Sequence, residues 1–227
     1  MEEFDIYKDI ALRTNGDIYI GVVGPVRTGK STFVKKFMDK LVLPMINDKF
    51  IKERTQDELP QSSAGKMIMT TEPKFVPEEA IKINVGEQDN ISFNVRMIDC
   101  VGYTVPGATG YEDENGPRMV TTPWYKHEIP FQKAAELGTQ KVINEHSTIG
   151  LVITTDGSFS EIPRDNFVTA EERVINELKS IGKPFIVALN SKNPNSSETQ
   201  ELKQKLTEKY EVPIVTVDCL NLKKQDI

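Results

Sequence analysis

A layered α/β fold built on a mainly parallel sheet is predicted by three features of the chain. Short apolar runs alternate with segments of helical spacing. One pair of runs is separated by hairpin-type turn residues, which predicts a single antiparallel interruption. A glycine-rich loop, Gly24-Pro25-Val26-Arg27-Thr28-Gly29-Lys30-Ser31, joins the first apolar run to the first helix. That order of strand, loop and helix is the setting in which the pattern G-x-x-x-x-G-K-[ST] has physical meaning, and it predicts a P-loop fold with helices on both faces of the sheet.

Ile18 to Val23 reads as the buried strand before the loop. Ser31 to Leu41 reads as the helix after it, because Phe33, Val34, Phe37, Met38 and Leu41 recur at helical spacing. Asn47 to Pro73 is polar and irregular, and so long a loop inside a compact domain is usually functional. Ile81 to Val85 and Ile91 to Ile98 form the hairpin across Gly86-Glu87-Gln88-Asp89-Asn90. Residues 101–130 are rich in Gly, Pro and Thr without periodicity, which predicts an ordered but irregular insertion. Phe131 to His146 is expected to be helical and Gly150 to Thr154 a short strand. A helix over Thr169 to Ile181 is expected to open on a capping box, Thr169-Ala170-Glu171-Glu172, and to stop at Gly182. Phe185 to Leu189, Glu198 to Tyr210 and Ile214 to Val217 complete the alternation as strand, helix and strand.

Composition removes several function classes. The chain has 227 residues, 38% of them hydrophobic, enough for one substantial core. Its 28 basic residues are scattered among 34 acidic ones, for a net charge of -6. Nucleic-acid binding requires clustered cations, so no nucleic-acid partner is expected. No apolar run approaches the ~20 residues that a spanning helix needs, and the start Met1-Glu2-Glu3 does not read as a signal peptide, so a soluble cytoplasmic protein is expected. Cys100 and Cys219 show no metal spacing and are expected as buried free thiols. His127 and His146 lie far from any ligand partner, Trp124-Tyr125 suits either a contact or local packing, and Glu171-Glu172-Arg173 and Lys203-Gln204-Lys205 read as solvated helix faces.

The chemistry concentrates around the loop. The loop from Gly24 to Thr32, with its backbone N–H groups (Pro25 has none) aimed with the positive end of the following helix, would cradle phosphates. Lys30 would reach the outer phosphates and Ser31 would bind Mg²⁺. Asp99-Cys100-Val101-Gly102 falls at the C-terminal end of a strand, the sheet edge where ligands bind. Asp99 would hold Mg²⁺ through water, and Gly102 would offer its N–H to the γ-phosphate. Thr70 and Thr71, in the long loop, are candidates to close over Mg²⁺ (Thr71) and the γ-phosphate. Arg27 is a candidate cation for the β/γ bridge from within the loop itself, with an outward-pointing surface side chain as the alternative. Tyr103 occupies the place where many GTPases carry a water-orienting Gln, and an aromatic ring cannot do that work. Hydrolysis should therefore be slow or use another group.

Asn190-Ser191-Lys192-Asn193 stands where GTPases carry N-K-x-D. The Asn190 position is kept, but Ser191 fills the lysine slot and Asn193 the aspartate slot. The charged acceptor for two guanine N–H donors is missing, so a GTPase-like scaffold is expected to have lost guanine discrimination and to take ATP.

The segment from Asp17 through Ser31, together with Met69-Thr70-Thr71-Glu72-Pro73-Lys74-Phe75, Asp99 to Tyr103 and Thr155-Asp156-Gly157-Ser158, closely resembles the bacterial stage IV sporulation protein A family over nearly the whole chain. The resemblance implies a GTPase-like (TRAFAC-class) N-terminal domain that hydrolyses ATP with Mg²⁺. In this role Lys30 is the essential P-loop lysine, Asp99 the acidic residue on the Mg²⁺ side, and Thr70 and Thr71 the sensor threonines. It further implies self-association into the basement layer of the spore coat, contacts with other coat proteins, and recruitment to the mother-cell side of the forespore outer membrane by a small amphipathic membrane-anchored protein. Family members are about twice this length, so residues 1–227 are expected to be the ATPase domain without its middle and C-terminal partners, and recruitment is associated with the latter. Two other readings stay open: a scaffold gated by nucleotide binding alone, and a GTPase. A small-molecule kinase fits less well, for want of an Arg-rich lid.

The base reading is directly testable. ATP should bind at least as tightly as GTP in titrations with fluorescent analogues, and Asn193→Asp should shift preference towards GTP. A GTP preference of about tenfold, ~1.4 kcal/mol, in the unsubstituted chain would overturn it.

Overall fold

The computed structural model describes residues 17–60, 72–85, 91–113 and 116–226. Its central strand is β1 (Asp17–Val23), flanked on both sides by parallel neighbours, β3 (Ile91–Asp99) and β8 (Ile149–Thr155). Beyond β8 lie β9 (Phe185–Asn190) and β10 (Ile214–Val217), also parallel. On the other edge β2 (Lys74–Val85) runs antiparallel to β3. The six strands thus lie in the order β10-β9-β8-β1-β3-β2, a parallel sheet with one antiparallel edge, as expected.

Side-chain alternation divides the interior between the two faces. Val22, Met97 and Ile153 enter one core, against Phe33, Val34 and Met38 of the first helix, α1 (Lys30–Phe37), and its continuation. Their chain neighbours Val23, Ile98 and Val152 enter the other, against Phe167, Val174, Ile175 and Leu178 of α4 (Asp165–Ser180) and Leu206 and Tyr210 of α5 (Ser197–Tyr210). Each fully buried aliphatic or aromatic side chain contributes about 1.5–3 kcal/mol, so two such cores hold the strand ends, and the loops on them, in fixed positions. α1 runs on through a π turn and a 3₁₀ turn, which contains Pro44, to Met45. α3 (Phe131–Lys141) likewise continues as a π turn to His146, matching the expected span.

Four expectations need correction. The stretch from Asn47 contains a helix, α2 (Lys49–Asp57), whose N-terminus is capped by the Asp48 carboxylate accepting from Ile51 N at 3.0 Å. It buries only Thr55 and leaves Phe50 82% exposed, so it carries no amphipathic stripe to betray it. The hairpin begins earlier, since β2 pairs from Lys74 with a break in register between Val76 and Ile81 that hides its alternation. The insertion is less irregular than expected: β4 (Glu112–Asp113) pairs with β5 (Gly116–Pro117), and β6 (Met119–Thr122) with β7 (Tyr125–Pro130). Trp124, beside this hairpin, lies under the Lys141 ammonium at 5.9 Å, a local packing contact.

The fourth correction concerns α4, which starts at Asp165 rather than at a capping box on Thr169. Glu171 therefore sits inside the helix and, far from being solvated, is fully buried. Its carboxylate accepts from the Thr154 hydroxyl on β8, from Tyr210 OH on α5 at 2.6 Å and from Arg164 at 2.8 Å. A buried carboxylate is tolerated only when paired and hydrogen-bonded, and these three donors meet that condition. Both cysteines are buried free thiols, as expected; burial pushes Cys100 up to about 11 and Cys219 up to about 12.

Removing the carboxylate with Glu171→Ala leaves the Arg164 charge unpaired in a largely buried setting. This should cost about 3–5 kcal/mol of stability, read as a lower urea midpoint. A loss under about 1 kcal/mol would show that the network is replaceable by water.

Candidate functional site

The loop from Gly24 to Gly29 leaves the C-terminal end of β1 and turns into α1. Three of its residues have positive backbone φ, Gly24 at 138°, Arg27 at 62° and Gly29 at 97°. Such reversals curl the chain so that consecutive N–H groups face one concavity, the geometry of an anion nest. Gly29 is required for space as well, because a Cβ there would stand 2.5 Å from Asn190 Nδ2. Thr28 is buried and its hydroxyl donates to Pro25 O at 3.0 Å, closing the loop internally. Thr32 is half-buried, one residue into the helix from Ser31.

Lys30 opens α1 and is only 5% exposed. Its ammonium donates to Pro25 O at 2.5 Å and lies over Gly102, the last residue of D-x-x-G. A Cβ on Gly102, whose φ is 94°, would meet Gly24 O at 2.1 Å and Lys30 Nζ at 2.7 Å. Asp99, at the end of β3, is nearly buried, with the Ser31 hydroxyl beside its carboxylate. Burial lowers the Lys30 pKa and raises that of Asp99, each opposed by the other's charge. Both groups are therefore short of the opposite charge they need. Asp99 Oδ1 in particular is buried without a hydrogen-bond partner among the described residues. A hydroxyl beside an orphaned carboxylate oxygen is a donor set of hard oxygens, and it fits Mg²⁺ carried in with nucleotide phosphates.

The remaining predicted residues fall in different places. Arg27 turns towards the insertion, where Nη2 donates to Thr109 Oγ1 at 3.2 Å and to Thr109 O at 3.4 Å. Asn190 is buried and spans two loops: Nδ2 donates to Thr28 O at 2.9 Å, and Oδ1 accepts from Cys219 N at 3.0 Å. It shapes the phosphate loop from behind. Ser191 is also buried, with its hydroxyl 3.1 Å from Thr199 Oγ1 and accepting from Asn193 N at 3.0 Å, so the lysine slot of N-K-x-D is filled by a structural serine while Asn193 is exposed. Val26 N donates to Tyr103 O at 2.8 Å, and Tyr103 N donates to Gly24 O at 3.3 Å. This backbone pairing of the P-loop to the residue after D-x-x-G could not be read from either motif. Thr70 and Thr71 lie outside the described residues.

A family model described as "Stage IV sporulation protein A, ATPase domain" matches residues 1–227. The chain belongs to this family. Among its relatives, the stage IV sporulation proteins A of Bacillus anthracis and Bacillus subtilis (strain 168) are each 60% identical over 227 residues, covering all of this chain and 46% of theirs. That of Clostridioides difficile (strain 630) is 56% identical over 223 residues, 98% of this chain and 45% of the relative. The chain spans about half the length of these curated relatives. Two solved structures of SsGBP variants align over 93% of this chain and 52% of theirs at 14% and 15% identity, with TM-scores of 0.45 and 0.47, too loose a likeness to carry weight. Among the described residues no helix is long and apolar enough to cross a membrane.

The crowding at Gly102 makes a sharp prediction. Gly102→Ala must displace either the P-loop carbonyl or the Lys30 ammonium, so nucleotide turnover should fall about a hundredfold, as misplacement of catalytic groups by ~1 Å can do. Turnover within twofold of the unsubstituted chain would mean that the two loops separate freely.

Proposed function

We propose that this domain binds Mg²⁺-ATP across the P-loop and Asp99, hydrolyses it, and changes shape in a way that permits self-assembly into the basement layer of the spore coat. The observation that carries the reading is the pair of buried, under-compensated charges, Lys30 and Asp99, facing one concavity of backbone donors. Phosphoryl transfer needs little covalent chemistry from a protein; positioning and electrostatic stabilisation do most of the work. Here Lys30 would meet the outer phosphates, the loop N–H groups would hold them, and Gly102 N–H would face the γ-phosphate. Ser31 and Asp99 would hold Mg²⁺, which when bound supplies neutralisation of phosphate charge. Thr70 and Thr71 would bind only before phosphate is lost and so convert its loss into loop movement.

ATP is favoured over GTP because Ser191 is committed to Thr199 and Asn193 carries no charge. The place of action we assign is the mother-cell side of the forespore outer membrane, with a membrane-anchored recruitment protein and other coat proteins as partners of the longer relatives. One feature favours a second reading, a scaffold gated by binding with incidental turnover: the Tyr103 ring is 2% exposed and turned into the core, so it orients no water. Single-turnover phosphate release timed against light scattering separates the two, since assembly that precedes release belongs to the scaffold.

The deciding experiment is hydrolysis of ATP and of GTP by the chain with and without Lys30→Ala. Loss of that cation should abolish measurable ATP turnover and weaken nucleotide binding severely. Unchanged turnover in Lys30→Ala would overturn the assignment of the site.

A further inference from the structure

Tyr103 follows Gly102 directly, and its main chain is tied to the P-loop in both directions, through Val26 N at 2.8 Å and Gly24 O at 3.3 Å. Its ring is gripped by the helix α4. The Arg173 guanidinium of α4 lies 3.9 Å from the ring centroid, and the Tyr103 hydroxyl donates to Glu177 one helical turn further on. Arg173 is itself held from two helices, by Glu177 at 3.1 Å and by Glu136 of α3 at 3.3 Å. A planar cation stacked on an aromatic face and forked to two carboxylates has one geometry, and lysine cannot reproduce it.

The geometry points to Tyr103, clamped by Arg173, as the positioning residue that sets where the Gly102 N–H stands for hydrolysis. This rests on the ATP hydrolysis proposed above. Gly102 has no side chain to anchor it and adopts a left-handed backbone, so its amide is placed by what holds the next residue. That residue is fixed to the α3–α4 face by its ring and to the P-loop by its backbone. The Arg173 clamp therefore acts on the γ-phosphate site through Tyr103. Its action should appear in the chemical step and not in affinity, because the loop N–H groups and Lys30 hold the nucleotide independently of it.

The test uses the whole chain and steady-state ATP hydrolysis. Arg173 is 39% exposed on its side chain, so Arg173→Ala should fold. We expect kcat to fall about tenfold with KM for Mg²⁺-ATP within twofold, since small misplacements near the reacting atoms have effects of this size or larger. Arg173→Lys should recover only part of the loss. Combining Arg173→Ala with Tyr103→Leu should lower kcat no further than Tyr103→Leu alone. Lys209→Ala, which removes a different surface ion pair from the same helix, the one to Glu172, is the control and should leave kcat unchanged. A kcat within twofold of the unsubstituted chain in Arg173→Ala, with only a lower melting temperature, would overturn the proposal and leave the clamp as packing. Fully additive losses in the double variant would overturn it too. If the unsubstituted chain turns over no ATP, it is the hydrolysis reading that fails first, and the positioning role falls with it.

Discussion

Burial of Lys30 next to Asp99 is the constraint around which this domain is arranged. Neither ion is well solvated, and burial pulls both towards their uncharged forms. A buried ion pair is weak evidence of stability, since desolvation can exceed the mutual attraction. The surrounding structure must therefore hold the site in shape by other means. Two hydrophobic cores fix the strand ends, and backbone and amide hydrogen bonds fix the loops. In the proposed function, phosphates and a cation would supply the missing charge.

The P-loop is held from two sides. Asn190 ties it at Thr28 to the ends of β9 and β10, and Tyr103 ties it at Gly24 and Val26 to the strand end that carries Asp99. Each tie is made to a backbone group of the loop, at Thr28 O, Gly24 O and Val26 N, and so holds its curl. The Glu171 network performs a comparable service lower in the fold, joining β8, α4 and α5 through one carboxylate. Polar groups in this domain are thus used chiefly to set the spacing of elements that the apolar cores bring together.

What was legible in the sequence follows from how local each feature is. The glycine loop, Lys30, Ser31 and Asp99 are defined by strand-loop-helix order, and the structure brings them together at the C-terminal end of the sheet, the place read from the motifs. The parallel sheet and its antiparallel edge were equally readable, from period and turn residues. α2 was not, because its apolar residues Phe50 and Ile51 face solvent and its one buried residue is a threonine. Glu171 was misread because nothing near it in sequence reveals Thr154 or Tyr210. The same applies to Tyr103: its place in the usual glutamine slot was visible, but its ring partners Arg173 and Glu177 are remote along the chain, 74 residues away in the case of Glu177.

The Asn190 tie has a consequence for how the domain comes into being. Asn190 stands 162 residues of chain from its P-loop partner Thr28 and 29 from Cys219, so the phosphate loop acquires its final shape only once β9 has docked beside it and the segment after β10 is in place. Contacts of such long range are made late, since the loop-closure entropy must be met before they form. A nucleotide that selects the finished loop thereby acts as a folding ligand for the C-terminal half of the sheet, raising its stability by mass action although it touches little of it. The occupancy of the site and the integrity of the far strand are, in this fold, two readings of one equilibrium.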